Sequence, residues 1–129
     1  LGERLGLERN IIFLGYVPDR ELRYFYATAE AFIFPSFYEG FGFPIVEAFA
    51  CGAPVVTSDR SSCSEIAGDA ALTVDPSSPD AIAGAVGRIL HDRDLQRVLR
   101  EKGFERASRF DFHKTAEEIL KVYEEVGRS

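Results

Sequence analysis

Four short apolar runs, separated by stretches with helical periodicity, constrain this chain more than any other feature. They are Ile11–Leu14, Ala31–Phe34, Pro54–Thr57 and Ala71–Val74. Each is too short for a stable helix and rich in β-branched or aromatic residues, so each reads as a buried strand. Between the first two, Pro18-Asp19 opens a helix that Asp19 is expected to cap, with Leu22, Phe25, Tyr26 and Ala29 as its apolar stripe. Pro44–Cys51 reads as the next helix and Gly52 as its stop. Ser64–Ala67 is a short helical turn closed by Gly68. From about residue 79 to 126 the chain turns helical. Ala81–Leu90 carries Ile82, Val86, Ile89 and Leu90 on one face, and Asp94–Phe110 carries Leu95, Val98, Leu99 and Phe104, with Gly103 weakening its middle. Asp111 caps a last helix containing Ala116, Ile119, Leu120, Tyr123 and Val126. Short strands alternating with helices predict an α/β fold: a Rossmann-like parallel sheet of about four strands with helices on both faces. Residues 1–129 read as a single domain.

Charge and composition exclude several classes of function. The net charge of -6 argues against nucleic-acid binding and against electrostatic attachment to anionic lipid. The longest uncharged run, Ala48 to Ser58, is broken by Gly52 and Pro54 and falls short of a membrane span. Leu1-Gly2-Glu3-Arg4-Leu5 lacks the pattern of a signal peptide. Cys51 and Cys63, the two cysteines, have no metal-ligand spacing and read as free thiols in a reducing, cytoplasmic compartment.

The chemistry concentrates between the second strand and the helix after it, in Glu39-Gly40-Phe41-Gly42-Phe43-Pro44-Ile45-Val46-Glu47. Open α/β sheets bind ligands at strand carboxyl ends, against helix N-termini. Pro44 suits the first helical position. The cap is then Gly42 or Phe43. Neither offers a side-chain acceptor, so the first-turn amides are expected to lack an internal partner and to suit a phosphate. Gly40 and Gly42 let the backbone approach such a ligand. Glu47 stands too late for a capping box and is suited to accept two hydrogen bonds from a vicinal diol such as a ribose. Glu39 could do the same for a sugar hydroxyl. The alternative reading is a glycine-bearing turn followed by an amphipathic helix whose glutamate faces water.

In their order, these segments resemble the C-terminal half of a retaining glycosyltransferase of family 4, the group 1 glycosyltransferases, with the two-domain B-type fold. The matching pieces begin with Phe13-Leu14-Gly15-Tyr16-Val17 and with Phe34-Pro35-Ser36 followed by the paired glutamates. They continue with Ala48–Val56, Glu65–Ala71 and Phe110-Asp111-Phe112. The resemblance implies a donor site for a nucleoside-diphosphate sugar. Glu39 would touch hydroxyls of the transferred sugar. The backbone of Phe41, Gly42 and Phe43 would meet the sugar and pyrophosphate. Glu47 would hold the ribose, and Gly15-Tyr16-Val17 would lie near the base. It implies no metal and no cofactor apart from the donor substrate. The acceptor, a sugar or a lipid-linked glycan, would bind through a domain that this chain lacks, and membrane association, if any, would be peripheral and through that domain.

The resemblance also carries departures. The family's first two strand–helix units, which bring basic pyrophosphate clamps, have no counterpart before Ile11. In the family's sheet order, 3-2-1-4-5-6, two strands separate Ile11–Leu14 from Ala31–Phe34. The chain is therefore expected to be a fragment, inactive alone, with a gapped or re-paired sheet and strand edges open to pairing. Cys63-Ser64 stands where the family often has a proline. A non-catalytic binding or assembly module and a nucleotide-sugar epimerase remain as alternatives. Glu65 could join the pocket or face solvent. Arg60 could meet a phosphate or stay solvated. Ser36 reads as a turn residue, and His91 and His113 as surface or cap residues.

Overall fold

A strand buried along its whole length must be covered on both faces and paired on both edges, and Val55–Ser58 is such a strand. The computed structural model describes residues 5–127. Leu1–Arg4, part of the stretch read for targeting, lie outside the described residues. The elements run α1 (Asp19–Thr28), β1 (Phe32–Phe34), α2 (Phe43–Ala50), β2 (Val55–Ser58), α3 (Ser61–Ala67), β3 (Ala71–Val74), α4 (Pro79–His91), α5 (Arg93–Ala107) and α6 (Phe112–Gly127). The sheet is parallel, in the order β1-β2-β3. Phe32 pairs with Val55, and Val55 with Ala71.

Successive residues of a strand point to opposite faces, and here that alternation divides the core in two. Val55 packs with Ile45, Phe49, Cys63, Ile66 and Tyr26 beneath α1, α2 and α3. Val56 packs with Ala85, Ile89 and Leu99 beneath α4 and α5. Both buried hydroxyls on β2 are satisfied: Thr57 Oγ1 donates to Phe34 O at 2.8 Å, and Ser58 Oγ accepts from Arg60 N at 3.1 Å. Gln96, also buried, donates to Ile89 O and to Glu30 Oε2.

The sheet has one strand fewer than the apolar runs suggest. Ile11–Leu14 is not a strand, and its Ile12 and Phe13 are 82% and 91% exposed. The reason is pairing. The β1 strand bonds to β2 alone, and among the described residues no strand lies beside residues 11–14 to accept their amides. The three strands that do form lie side by side in sequence order, as the last three of the order 3-2-1-4-5-6 do.

The helix bounds depart from expectation at α1, α2, α3 and α5; α2 begins at Phe43, which makes Pro44 its second residue, and ends at Ala50. Pro18 is the residue before α1, and Asp19 is its first helical residue rather than its cap. The α3 helix starts at Ser61, earlier than its apolar residues suggest, and α5 ends at Ala107. Asp92 caps α5 by accepting from Leu95 N. Ser78 caps α4 through Ala81 N, and Asp111 accepts from His113 N at 2.8 Å ahead of α6. Gly52 stops α2 as expected. At φ 77 it donates to Phe49 O, while Ala53 N bonds to Ala48 O, the paired closure of a Schellman turn. The α6 helix forms where its stripe predicts, yet Ile119, Leu120, Tyr123 and Val126 are all exposed. No helix among the described residues is long and apolar enough to cross a membrane.

Candidate functional site

The site segment is a loop between β1 and α2, and it is fixed at both ends. At its far end Gly42 is the N-cap of α2, in a left-handed conformation at φ 103 and ψ 45, which an L side chain rarely adopts. No side chain caps α2. The first turn of α2 offers fewer open amides than the sequence suggests. Pro44 has none to offer, and the Ile45 amide closes back on Gly42 O at 3.0 Å. What remains is the positive end of an eight-residue helix with no acidic residue in its first turn. The Phe41 and Phe43 rings pack on one another with centroids 4.7 Å apart, and Phe41 meets Phe110 edge-on at 5.7 Å. These rings, with Arg109, Asp111 and Thr115, line a cavity of about 270 Å³ at the α5–α6 joint.

Glu47 lies one turn into α2, on the side facing α1. Tyr26 Oη donates to Glu47 Oε2 at 3.2 Å. The tyrosine ring is buried and packs edge-on against Phe32, with centroids 5.0 Å apart, so its hydroxyl is held in place. Burial first, then the neighbouring Glu47 carboxylate, pushes the Tyr26 pKa up to about 12. It is therefore a hydrogen-bond donor at neutral pH. Tyr26 and Glu47 line a cavity of about 270 Å³ with Asp19, Leu22, Arg23, Ala50 and Cys51.

Glu39 is held differently. Its carboxylate Oε1 lies 2.9 Å from Ser36 Oγ. Its backbone is tied to α3: Ser61 Oγ donates to Glu39 O and lies 3.3 Å from its amide, and Ser62 Oγ donates to the same carbonyl at 2.8 Å. Ser61 pays for this with a left-handed backbone at φ 57, a conformation that costs an L residue about 1–2 kcal/mol.

The predicted site residues thus fall into three groups. Glu39, Gly40, Phe41, Gly42, Phe43 and Glu47 belong to one continuous segment, but Glu39 does not line the cavity that Glu47 lines. Gly15 and Tyr16 are exposed and Val17 is half-buried, and none of the three lines that cavity. Arg60 is engaged elsewhere. It pairs with Asp75 at 2.9 Å, and the Asp75 carboxyl is lowered first by its bonds from Ser77 and then by this arginine. Glu65 is exposed, and His91 Nδ1 bonds to Gly87 O at 2.7 Å. His113 is exposed. Cys51 and Cys63 are free thiols, and burial raises the Cys63 pKa. No three-residue group of potential metal ligands exists among the described residues. Sequence reasoning missed Tyr26 as the partner of Glu47 and Ser61 and Ser62 as partners of Glu39. The only signal for Tyr26 was a polar tip on an apolar stripe. The serines carried none, because the bonds span more than twenty residues.

Residues 1–106 match the family of glycosyl transferases group 1. The chain belongs to that family. It is 42% identical over 123 residues to the O-antigen chain mannosyltransferase B of Escherichia coli, covering 95% of this chain and 32% of that protein. A D-inositol 3-phosphate glycosyltransferase of Corynebacterium jeikeium is 37% identical over 129 residues, covering 98% of this chain and 30% of its own length. The structure superposes on a sucrose-phosphate synthase from Thermosynechococcus elongatus with a TM-score of 0.91 and 29% identity, covering 98% of this chain and 33% of that one. The chain therefore spans about a third of the length of these proteins. Its fold is that of the C-terminal domain of group 1 glycosyltransferases of the two-domain B type.

Proposed function

We propose that the protein carrying this domain transfers a hexose from a nucleoside-diphosphate sugar to an acceptor hydroxyl, with net retention at the anomeric carbon. The observation that carries this reading is the Tyr26–Glu47 pair beside the N-terminal half of an α2 helix that no side chain caps. A carboxylate set in place one turn into a helix suits a diol, while the helix start suits the anionic group next to it. The names of the similar proteins, a mannosyltransferase and an inositol phosphate glycosyltransferase, agree with glycosyl transfer.

In this reading Glu47 accepts two hydrogen bonds from the ribose and Glu39 meets hydroxyls of the transferred sugar. The backbone at Phe41, Gly42 and Phe43 faces the sugar and pyrophosphate, and Gly15, Tyr16 and Val17 lie toward the base. Neither glutamate acts as an acid/base pair; both position the donor. As the bond to the anomeric carbon breaks, negative charge gathers on the departing diphosphate. Preorganised dipoles at the start of α2 lower the energy of that charge, and they do so without reorganising. The reading needs no metal or cofactor from this domain. The acceptor, a sugar or lipid-linked glycan, binds outside the described residues.

The test is Glu47→Ala in the full-length protein, with donor binding and transfer both measured. Losing hydrogen bonds to a charged acceptor is expected to weaken donor affinity about tenfold or more. Donor affinity and rate equal to the unaltered protein's would remove Glu47 from the site.

A further inference from the structure

Within the loop that carries Glu39, the Ser36 hydroxyl lies 2.9 Å from the Glu39 carboxylate and 3.2 Å from Tyr38 O. Phe37 and Tyr38 are 62% and 82% exposed, and Gly40 has open space where a side chain would stand. The Glu39 backbone, by contrast, is bonded by α3. The Ser61 hydroxyl answers both polar groups of the Glu39 backbone, lying 3.3 Å from the amide and donating to the carbonyl at 2.9 Å. A hydroxyl has one donor and two acceptor positions, so it can do both at once. The Ser62 hydroxyl donates to the second lone pair of the same carbonyl at 2.8 Å.

The α3 helix that presents these serines is itself fixed. Cys63, Ile66 and Ala67 are buried in the core under it, and Arg106 of α5 donates to the carbonyls of Glu65 and Ile66 at its other end. Ser61 stands in a left-handed conformation where glycine or asparagine would be less strained. A strained residue persists where its surroundings demand it, and what serine supplies that glycine lacks is this hydroxyl.

We propose that Ser61 and Ser62 are positioning residues that fix the Glu39 peptide, and through it the angle at which the Glu39 carboxylate meets the transferred sugar. The proposal rests on the reading that Glu39 contacts that sugar. Its consequence is selective. Loosening Glu39 removes affinity contributed by the hexose and leaves affinity contributed by the nucleoside diphosphate, which other residues hold.

The experiment uses the full-length protein and a panel of uridine-, guanosine- and adenosine-diphosphate hexoses with their free diphosphates. Calorimetry gives the affinity advantage of each hexose conjugate over its own diphosphate. In Ser61→Gly and in Ser62→Ala that advantage is expected to fall about fivefold, the size of one or two neutral hydrogen bonds, with diphosphate affinity within about twofold of the original. Ser62→Thr keeps the hydroxyl and is expected to restore it. Ser61→Gly also relieves the backbone strain, so its loss of discrimination is expected without loss of stability. Amide exchange over residues 37–41 should quicken in both variants, which reads the clamp without any ligand.

Three results would overturn the inference. One is a full hexose advantage in both serine variants while Glu39→Gln lowers it. Another is a parallel fall in both affinities, which marks general loosening. The third is unchanged amide exchange. If Glu39→Gln leaves the advantage intact, or the unaltered protein shows none, the sugar-contact reading itself fails and the clamp loses its purpose with it.

Discussion

Residues 11–14 are wholly apolar and residues 55–58 only half so, yet their fates are the reverse of what that suggests. Ile11-Ile12-Phe13-Leu14 is the more apolar of the two, yet it is exposed and unpaired, while Val55-Val56-Thr57-Ser58 is buried throughout. The difference lies in what stands on either side. The β2 strand has β3 along its whole length and β1 beside Val55–Thr57, so its buried backbone lies between two ladders. Its side chains can then alternate into two cores. Residues 11–14 have no such neighbours, and burying their backbone would leave polar groups unsatisfied, which costs more than the apolar side chains return. Apolar sequence makes a strand possible; an adjacent edge makes it a strand.

The sharpest way to test that contrast is to cut the same side chain from the exposed run and from the core packed on β2. Phe49 is fully buried against Val55 and Gly103, whereas Phe13 touches little but water. Phe49→Ala is expected to cost about 3–5 kcal/mol, as for other phenylalanines removed from packed cores. Phe13→Ala should stay within about 0.5 kcal/mol. Urea midpoints measured at fixed slope give both values. A loss from Phe13→Ala approaching that of Phe49→Ala would mean that residues 11–14 are packed after all.

A pair of glycines makes the same comparison at smaller scale. Gly15 and Gly52 both lie in the left-handed region, at φ 65 and 77. Nothing stands within 4 Å of a Cβ at Gly15, while one at Gly52 would meet Phe104 Cζ at 2.7 Å. Gly52 also closes α2, and Arg100 donates to its carbonyl. Gly52→Ala is expected to cost about 2–4 kcal/mol, combining backbone strain with an overpacked contact. Gly15→Ala carries the strain alone, about 1 kcal/mol, in a segment free to relax. Equal losses in thermal or urea unfolding would break the distinction.

Much of this was legible from the residues because it is local. The helix stop at Gly52 and the cap at Asp111 each depend on neighbours within a turn. The family was legible because its motifs are also local and come in a fixed order. What could not be read is set by distant partners. Ile11–Leu14 has the pattern of a strand and lacks the neighbour. Gly103 weakens α5 by propensity, yet a Cβ there would stand 3.0 Å from Phe49 Cδ1, so it is the close approach of α5 to α2 that requires it. The glutamates were found by spacing, but whether they share a cleft was not, and Glu47 faces α1 while Glu39 is tied to α3.

Tyr26 marks the border between the two regions, since it is the one buried residue of α1 and joins that helix to α2 through Glu47. Tyr26→Phe keeps the ring against Phe32 and removes only the hydroxyl. Because Glu47 is exposed and can turn to water, the cost is expected at or below about 1 kcal/mol near neutral pH. The pH dependence is more telling. With its folded pKa raised from 10.0 to about 12, Tyr26 keeps its proton in the native protein after the unfolded chain has lost it. The unfolded state then binds fewer protons, so stability falls as pH rises from about 10 to 12, and below 10 this group contributes no slope. In Tyr26→Phe that part of the alkaline loss is absent, so the gap between the two proteins, measured by urea midpoints at pH 7, 9 and 11, should hold constant to pH 9 and narrow or reverse by 11. A gap that stays the same at pH 11 would mean that the hydroxyl is open to solvent, and that α1 is no better attached to the core than the exposed residues before it.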